Sequence, residues 1–138
     1  MQERHIAIGA RVLEVHATAD APRICAAHTT DAFGGATAEL LAETASTSAA
    51  CVTLPKGGAA IAAFDTIVDE LEAVRRELAA PPWIFWGMSG GGWLALAYAH
   101  RHPDGLAGIV VESACACFRA RLGDPACALS PMFPAWRE

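Results

Sequence analysis

The chain has 138 residues, of which 54% are hydrophobic and 18% are charged, so it is long enough for one domain and too apolar for a disordered polymer. Its net charge of -5 comes from 10 basic and 15 acidic side chains, and this balance lacks the basic surface that nucleic-acid binding requires. We therefore expect a folded domain that does not bind nucleic acid.

The first half of the chain predicts a strand or hairpin, then strands that alternate with a helix. Apolar residues alternate loosely over residues 6–16, and a turn-like segment follows them. Short apolar runs at 23–27 and 50–54 predict two buried strands, and a helix over 36–45 separates them.

The second half begins with the clearest helix, in which apolar residues recur at three- and four-residue spacing over 64–78. Glu72 and Arg76 lie four residues apart in this helix, in the order that favours an ion pair, and we expect them to face water. After two prolines, the chain predicts a strand at 83–86, a glycine turn, a helix over 93–102 and a strand at 108–112.

This alternation predicts an α/β fold, with a mostly parallel sheet covered by helices on both faces. We assign residues 1–112 to the core of this fold and residues 113–138, where the alternation stops, to a cap-like or connecting segment. Residues 83–99 carry no charge, but four glycines between 87 and 92 interrupt them, so we expect no membrane-spanning helix.

The segment Gly87-Met88-Ser89-Gly90-Gly91 matches the pattern G-x-S-x-G between a predicted strand and a predicted helix. A nucleophilic serine needs a sharp turn that lifts its hydroxyl above the sheet, and glycines on both sides let the strand and the helix approach closely. The helix that begins after the serine points free amides toward a developing oxyanion. The pattern therefore predicts Ser89 as a nucleophile.

Residues 83–112 resemble the nucleophile elbow, the following helix and the next strand of an α/β-hydrolase, and the elbow is most similar to the proline-iminopeptidase-like branch. The resemblance implies that the chain is the N-terminal portion of such a fold. It implies hydrolysis of an ester, amide or small peptide with Ser89 as nucleophile, without a metal or cofactor. The oxyanion donors that it implies are the backbone amide of Gly90 and the loop residue Thr30.

Two loops depart from the pattern of the family. The chain has His28-Thr29-Thr30 where the family often has His-Gly, and the turn at 55–60 is shortened or altered. The family also places an acid and then a histidine after the serine, in a part of the fold that this chain does not reach. We therefore expect the chain alone to have little or no turnover.

Two residues are candidates for the missing acid and base. His28 lies near the expected oxyanion loop and is the nearest candidate base, and Glu112 ends the strand after the elbow and is a candidate acid. Each also has a simpler explanation, as a structural loop histidine and an exposed strand-end carboxylate. His100 and His102 lie at the far end of the helix, about 15 Å or more from Ser89 at 1.5 Å per residue.

The same glycines also fit a dinucleotide-binding turn. Residues 90–95 satisfy G-x-G-x-x-A, and Glu112 follows where a ribose-binding acid would lie. That turn usually opens the first strand-helix-strand unit, whereas two units precede it here, and Trp93 crowds the approach of a pyrophosphate. We therefore favour the hydrolase, and a non-catalytic fragment or pseudoenzyme that needs a partner is a third alternative.

The expected partner is a small-molecule or peptide substrate, and missing strands would leave a sheet edge open to a homo-oligomer or a complementing C-terminal half. Charged residues near the start of the chain interrupt any apolar stretch long enough for a signal peptide. Five irregularly spaced cysteines do not fit a disulfide framework, which needs an even number. We therefore expect a reduced, cytoplasmic protein with free thiols, although Cys115 and Cys117 leave a metal or redox role open. The cysteines are Cys25, Cys51, Cys115, Cys117 and Cys127.

Overall fold

The computed structural model describes residues 1–28, 34–54 and 64–114. The predicted elements in these ranges are confirmed to within a few residues at their ends. The strands are β1 (Gln2–Ile8), β2 (Arg11–Ala17), β3 (Ile24–His28), β4 (Ala49–Thr53), β5 (Trp83–Met88) and β6 (Leu106–Glu112). The helices are α1 (Gly34–Ala45), α2 (Phe64–Glu77) and α3 (Gly90–Arg101), and a short 3-10 turn, Pro103–Gly105, precedes β6.

The strands form one mixed, mostly parallel sheet in the order β1-β2-β4-β3-β5-β6. β2 runs antiparallel to β1 and β4, whereas β4, β3, β5 and β6 are parallel to one another. This arrangement confirms the predicted fold class. Because the parallel strands end at the same edge, the loops that follow them meet there, and in such sheets that edge is where ligands bind.

The larger core lies between the sheet and the helices α2 and α3. Apolar side chains of α2 meet buried residues of β2, β4 and β5, and the rings of Trp83 and Phe85 lie 6.1 and 5.6 Å from the ring of Tyr98 on α3. A smaller cluster on the opposite face joins α1 to the sheet through Ala26, Ala38 and Cys51. Helices therefore cover both faces of the central strands.

The expectation that Glu72 faces water is wrong. Its carboxylate is buried and accepts hydrogen bonds from Arg75, Arg76 and the hydroxyl of Tyr98. Because α2 packs against α3, the hydroxyl of Tyr98 comes within hydrogen-bonding distance of the Glu72 carboxylate, and Glu72 is buried between the helices. Arg76 stays exposed. Hydrogen bonds, chiefly from Arg75, lower the pKa of Glu72 to about 2 in spite of its burial.

The two cysteines in the described ranges are buried free thiols, as predicted. Cys25 contacts the larger core and Cys51 the smaller one, so the two side chains lie on opposite faces of the sheet and cannot form a disulfide. Burial raises the pKa of both thiols, that of Cys51 to about 12, which leaves them protonated and unreactive. The three cysteines from Cys115 onward lie outside the described residues.

The uncharged stretch 83–99 is divided between β5 and α3 by a turn at Ser89. Within the described ranges, no helix combines the length and the apolar character that crossing a bilayer would need. The prediction that the glycines interrupt this stretch is therefore confirmed at the level of secondary structure.

β6 is more exposed than the central parallel strands of the sheet. Ile109, Val110 and Val111 are 38%, 48% and 37% exposed, whereas every residue of β4 is buried. An apolar run predicts a buried strand only where other elements cover it, and in the described part of the chain β6 pairs with β5 alone.

Candidate active site

Ser89 lies in the turn between β5 and α3, at the edge where the parallel strands end. Its φ of 53° and ψ of -118° are sparsely populated for a residue with a side chain. Serine is a common helix N-cap, but the Ser89 hydroxyl makes no capping hydrogen bond to α3. The residue is exposed, so its hydroxyl is presented above the sheet on a sharp strand-helix turn.

The glycines around Ser89 differ in how much space a side chain would have at each position. A Cβ on Gly87 would lie 2.2 Å from the carbonyl oxygen of Gly91 and 2.8 Å from the Cα of Gly92, and backbone atoms cannot move aside easily. A Cβ on Gly91 would lie 3.1 Å from the carbonyl oxygen of Ala27, whereas one on Gly90 would meet no atom within 4 Å in the part of the chain that the structure describes. Glycine is therefore required most strictly at 87, where β5 and α3 cross.

Backbone hydrogen bonds tie the turn to the neighbouring strand. The amide of Ser89 donates to the carbonyl oxygen of Glu112 at 2.9 Å, and the amide of Gly92 donates to the carbonyl oxygen of Ser89 at 3.0 Å. The amides of Gly90 and Gly91, the first two of α3, have no partner within the helix, and they lie at the positive end of its dipole. A developing negative charge beside Ser89 would meet these amides.

The structure brings the other predicted residues to this edge only in part. Glu112 ends β6, pairs in register with Met88 on β5 and is exposed. Ala26 of β3 pairs with Trp86, and the same register continued by two residues places the backbone of His28 level with Met88. Thr30 lies outside the described residues, so its role as an oxyanion donor stays a prediction.

Four other histidines lie in the described residues, and all are far from Ser89. His5 is on β1, four strands from β5. His16 is on β2, three strands from β5, or about 14 Å at the usual strand spacing, and its Nε2 pairs with Glu14 at 2.5 Å. His100 is near the C-terminal end of α3, and His102 follows that end and pairs with Asp69 at 2.7 Å. These four side chains cannot reach the Ser89 hydroxyl.

The sequence did not predict the backbone contact between Glu112 and Ser89. The carbonyl oxygen of Glu112 accepts the amide of Ser89, so Glu112 supports the turn through its backbone, whatever its carboxylate does. A backbone contact between residues 23 positions apart leaves no signal in the sequence.

Comparison with known proteins places this geometry in a family. Residues 28–137, which include the whole turn around Ser89, match the family described as the alpha/beta hydrolase fold. The chain belongs to the α/β-hydrolase fold family. This family membership confirms the resemblance that the elbow sequence predicted.

The similar proteins are considerably longer than this chain. An α/β fold family hydrolase from Bacillus anthracis superposes with a TM-score of 0.72 at 26% identity, over 89% of this chain and 47% of its own. VinJ superposes with a TM-score of 0.72 at 20% identity, over 99% of this chain and 55% of its own. A proline iminopeptidase from Arabidopsis thaliana is 42% identical over 46 residues, which are 33% of this chain and 12% of that protein.

This α/β-hydrolase therefore spans about half the length of the solved structures that it matches. The shared half contains the hairpin, the central parallel strands and the elbow. The chain thus matches only part of the fold of these neighbours, as the resemblance implied.

Proposed function

We propose that Ser89 is the nucleophile of a serine hydrolase that acts on an ester, an amide or a small peptide. The observation that carries the proposal is the positive φ of Ser89 at a strand-helix turn, with its hydroxyl unused by the helix. Membership of the α/β-hydrolase fold family supports it. In this chemistry the Oγ of Ser89 attacks a carbonyl carbon while its proton passes to a base, and the C–O or C–N bond of the substrate then breaks. The leaving alcohol or amine takes that proton, and water hydrolyses the acyl-enzyme that remains.

The amide of Gly90 is the proposed first oxyanion donor. It belongs to the residue directly after the nucleophile and opens α3, so the donor and the helix dipole act together. Among the described residues, no atom lies within 4 Å of the position that a Cβ on Gly90 would occupy, which supports access of a substrate from this side of the turn. Thr30 remains the proposed second donor.

The base and the acid are the incomplete part of the proposal. His28 and Glu112 end the two strands that flank β5, and they are the candidates nearest to Ser89 by strand position. A serine hydrolase without a working histidine loses several orders of magnitude in rate. We therefore propose that this chain alone acylates slowly and has little turnover, and that completion requires the rest of the fold.

The dinucleotide alternative loses support because Gly92, the second glycine of its turn, has another explanation. A Cβ on Gly92 would lie 2.4 Å from the Cβ of Ala114 and 3.0 Å from Val111 Cγ1. Close packing of α3 against the end of β6 thus accounts for the glycine at this position. A cofactor need not be invoked.

A fluorophosphonate, which modifies activated serines covalently, tests the proposal. We would follow adduct formation by intact mass for the wild type, Ser89→Ala and Ser46→Ala, because Ser46 is another exposed serine with positive φ. The expected result is a slow, single adduct in the wild type and in Ser46→Ala that is absent from Ser89→Ala. Tryptic mapping should place it in residues 77–101.

Other outcomes would count against specific parts of the proposal. Equal labelling of Ser89→Ala and the wild type would show that Ser89 is not the nucleophile. An absence of labelling together with NAD binding would favour the dinucleotide site. Rapid stoichiometric labelling with steady ester turnover would contradict the incomplete site and show that the chain supplies its own base.

A further inference from the structure

His16 of β2 lies against the first turn of α1. A Cβ on Gly34 would lie 2.6 Å from Cδ2 and 3.2 Å from Nε2 of His16, and a Cβ on Gly35 would lie 3.6 Å from its Nδ1. The imidazole thus occupies the space that a side chain at position 34 would need. Because Gly34 is buried, any other residue there would displace either the ring or the start of α1.

The register of the sheet explains why His16 faces α1. His16 pairs with Cys51 of β4, and the side chain of Cys51 belongs to the smaller cluster, which also contains Ala38 of α1. Residues directly opposite each other on paired strands share a face of the sheet. The position of the ring beside α1 therefore follows from strand pairing.

Glu14 holds this ring in place. Glu14 and His16 are alternate residues of β2 and therefore lie on the same face, and Oε1 of Glu14 is 2.5 Å from Nε2 of His16. Their side chains are 29% and 14% exposed, and a hydrogen bond that is partly shielded from water is stronger than one on an open surface. The pair is too far from Ser89 to take part in the chemistry itself.

The start of α1 is also one end of the segment that contains the proposed second oxyanion donor. This segment, residues 29–33, includes Thr30 and joins His28 of β3 to Gly34; we call it the oxyanion loop. Pairing of β3 with β4 and β5 fixes the end at His28, and the contact with His16 fixes the end at Gly34. Because the chain is continuous, a displacement of Gly34 must be absorbed within this loop.

We propose that His16, held by Glu14, is a positioning residue for the oxyanion loop. It fixes Gly34, and thereby the position of Thr30 relative to Ser89, and it contacts neither the serine nor the substrate. The inference rests on the proposed function, because it concerns the second oxyanion donor of that site. A misplacement of about 1 Å far from the chemistry can slow a reaction on the order of 100-fold, so a fixed loop end has a direct effect on rate.

Gly34→Ala and Gly35→Ala form a matched pair of substitutions that tests the proposal. The Cβ at position 34 must displace the His16 ring or α1, whereas the Cβ at position 35 makes only ordinary contact. We would measure modification of the full chain by a fluorophosphonate at several concentrations, which separates the maximal rate constant from the half-saturating concentration.

Oxyanion donors act on the transition state, so the effect should appear in the maximal rate constant. We expect Gly34→Ala to lower this constant about 10-fold at an unchanged half-saturating concentration, and Gly35→Ala to match the wild type. A merely structural role would instead lower the melting temperature and leave the rate constant of the folded protein unchanged.

Removing the ring or its partner gives an independent test. His16→Ala should slow the modification by itself, and adding Gly34→Ala to it should slow the modification little further, because the collision is gone. Glu14→Ala leaves the ring in place without its hydrogen bond and should have a smaller effect in the same direction. Thermal melting identifies the variants that are folded.

Each other outcome has a definite meaning. Wild-type rate constants in folded Gly34→Ala and His16→Ala would overturn the positioning role and leave Ser89 as the nucleophile, and equal slowing by Gly35→Ala would overturn it too. If those variants fail to fold, a wild-type rate constant in Glu14→Ala overturns it. A wild type without adduct at Ser89 would refute the proposed function and this inference with it.

Discussion

Ser46 and Ser89 have nearly the same φ, 51° and 53°, at opposite kinds of helix end. Ser46 follows α1, where its amide donates to the carbonyl oxygen of Glu43 and the amide of Thr47 donates to that of Ala42. Residues with positive φ are common at helix C-terminal ends, where they direct such amides to the last carbonyls. Its conformation is therefore explained by the end of α1.

Ser89 precedes α3, and a helix needs no positive φ at its start. The conformation there is held by the glycine packing of the turn and by the hydrogen bond to Glu112. Its consequence is an exposed hydroxyl beside the free amides of a helix. The comparison teaches that an unusual φ indicates a site only when the local end of the helix does not already account for it.

The largest expected effect is that of Gly87→Ala, which tests whether glycine packing holds the turn. The new Cβ would lie 2.2 Å from the carbonyl oxygen of Gly91, so β5 and α3 would have to separate. We expect a loss of about 3 kcal/mol or more in the free energy of unfolding, measured by urea denaturation.

The control for that substitution is Gly90→Ala in the same turn. Its Cβ would meet none of the described atoms within 4 Å, so the free energy of unfolding should change by less than about 1 kcal/mol. Similar losses in the two variants would mean that the turn is not held by close packing at Gly87.

The second largest change in stability is expected for Glu72. Its carboxylate accepts a hydrogen bond from the hydroxyl of Tyr98 and so holds the C-terminal part of α3 against α2. Glu72→Gln should lower the free energy of unfolding at neutral pH by about 2 kcal/mol, because Arg75 loses a buried partner. The matched control is Asp69→Asn, whose carboxylate pairs with Arg101 in solvent; we expect a smaller loss there.

The difference in stability between the wild type and Glu72→Gln should depend on pH. Because folding lowers the pKa of Glu72 from 4.5 to about 2, its ionised form stabilises the protein above pH 4.5, and this stabilisation is lost as the pH falls toward 2. The difference in stability between the wild type and Glu72→Gln should shrink over this interval. A constant difference would show that the charge of Glu72 is not what anchors α3.

The smallest effects should come from replacing the two serines by glycine. Ser89→Gly and Ser46→Gly each remove a side chain from a positive-φ position and should raise the free energy of unfolding by about 1 kcal/mol. Only Ser89→Gly should abolish fluorophosphonate labelling. Destabilisation by Ser89→Gly would indicate that the side chain supports the turn rather than serving chemistry.

Much of the fold could be predicted because local patterns determine it. The spacing of apolar residues in α2 marks its buried face, and the glycines after Met88 separate β5 from α3. The position of Ser89 between a strand and a helix predicted the elbow for the same reason: the turn is built from neighbouring residues.

The remaining features depend on residues distant in the chain. Glu72 is buried because Tyr98, 26 positions later, reaches it when α2 packs on α3. β6 is exposed because no strand in the described ranges lies beyond it, and its apolar sequence cannot report that. The ends of β3 and β6, at His28 and Glu112, likewise adjoin the turn only through the order of the strands, which local patterns do not determine.

The most direct test of the nucleophile is the ratio of fluorophosphonate adduct at Ser89 to that at Ser46 within one wild-type sample, with the sites assigned by fragmentation mass spectrometry. Both serines are exposed and share the same φ, so the ratio isolates the effect of the elbow and its amides. We predict a preference for Ser89 on the order of 100-fold or more, as expected for oxyanion stabilisation. Equal adduct at the two serines would contradict the account.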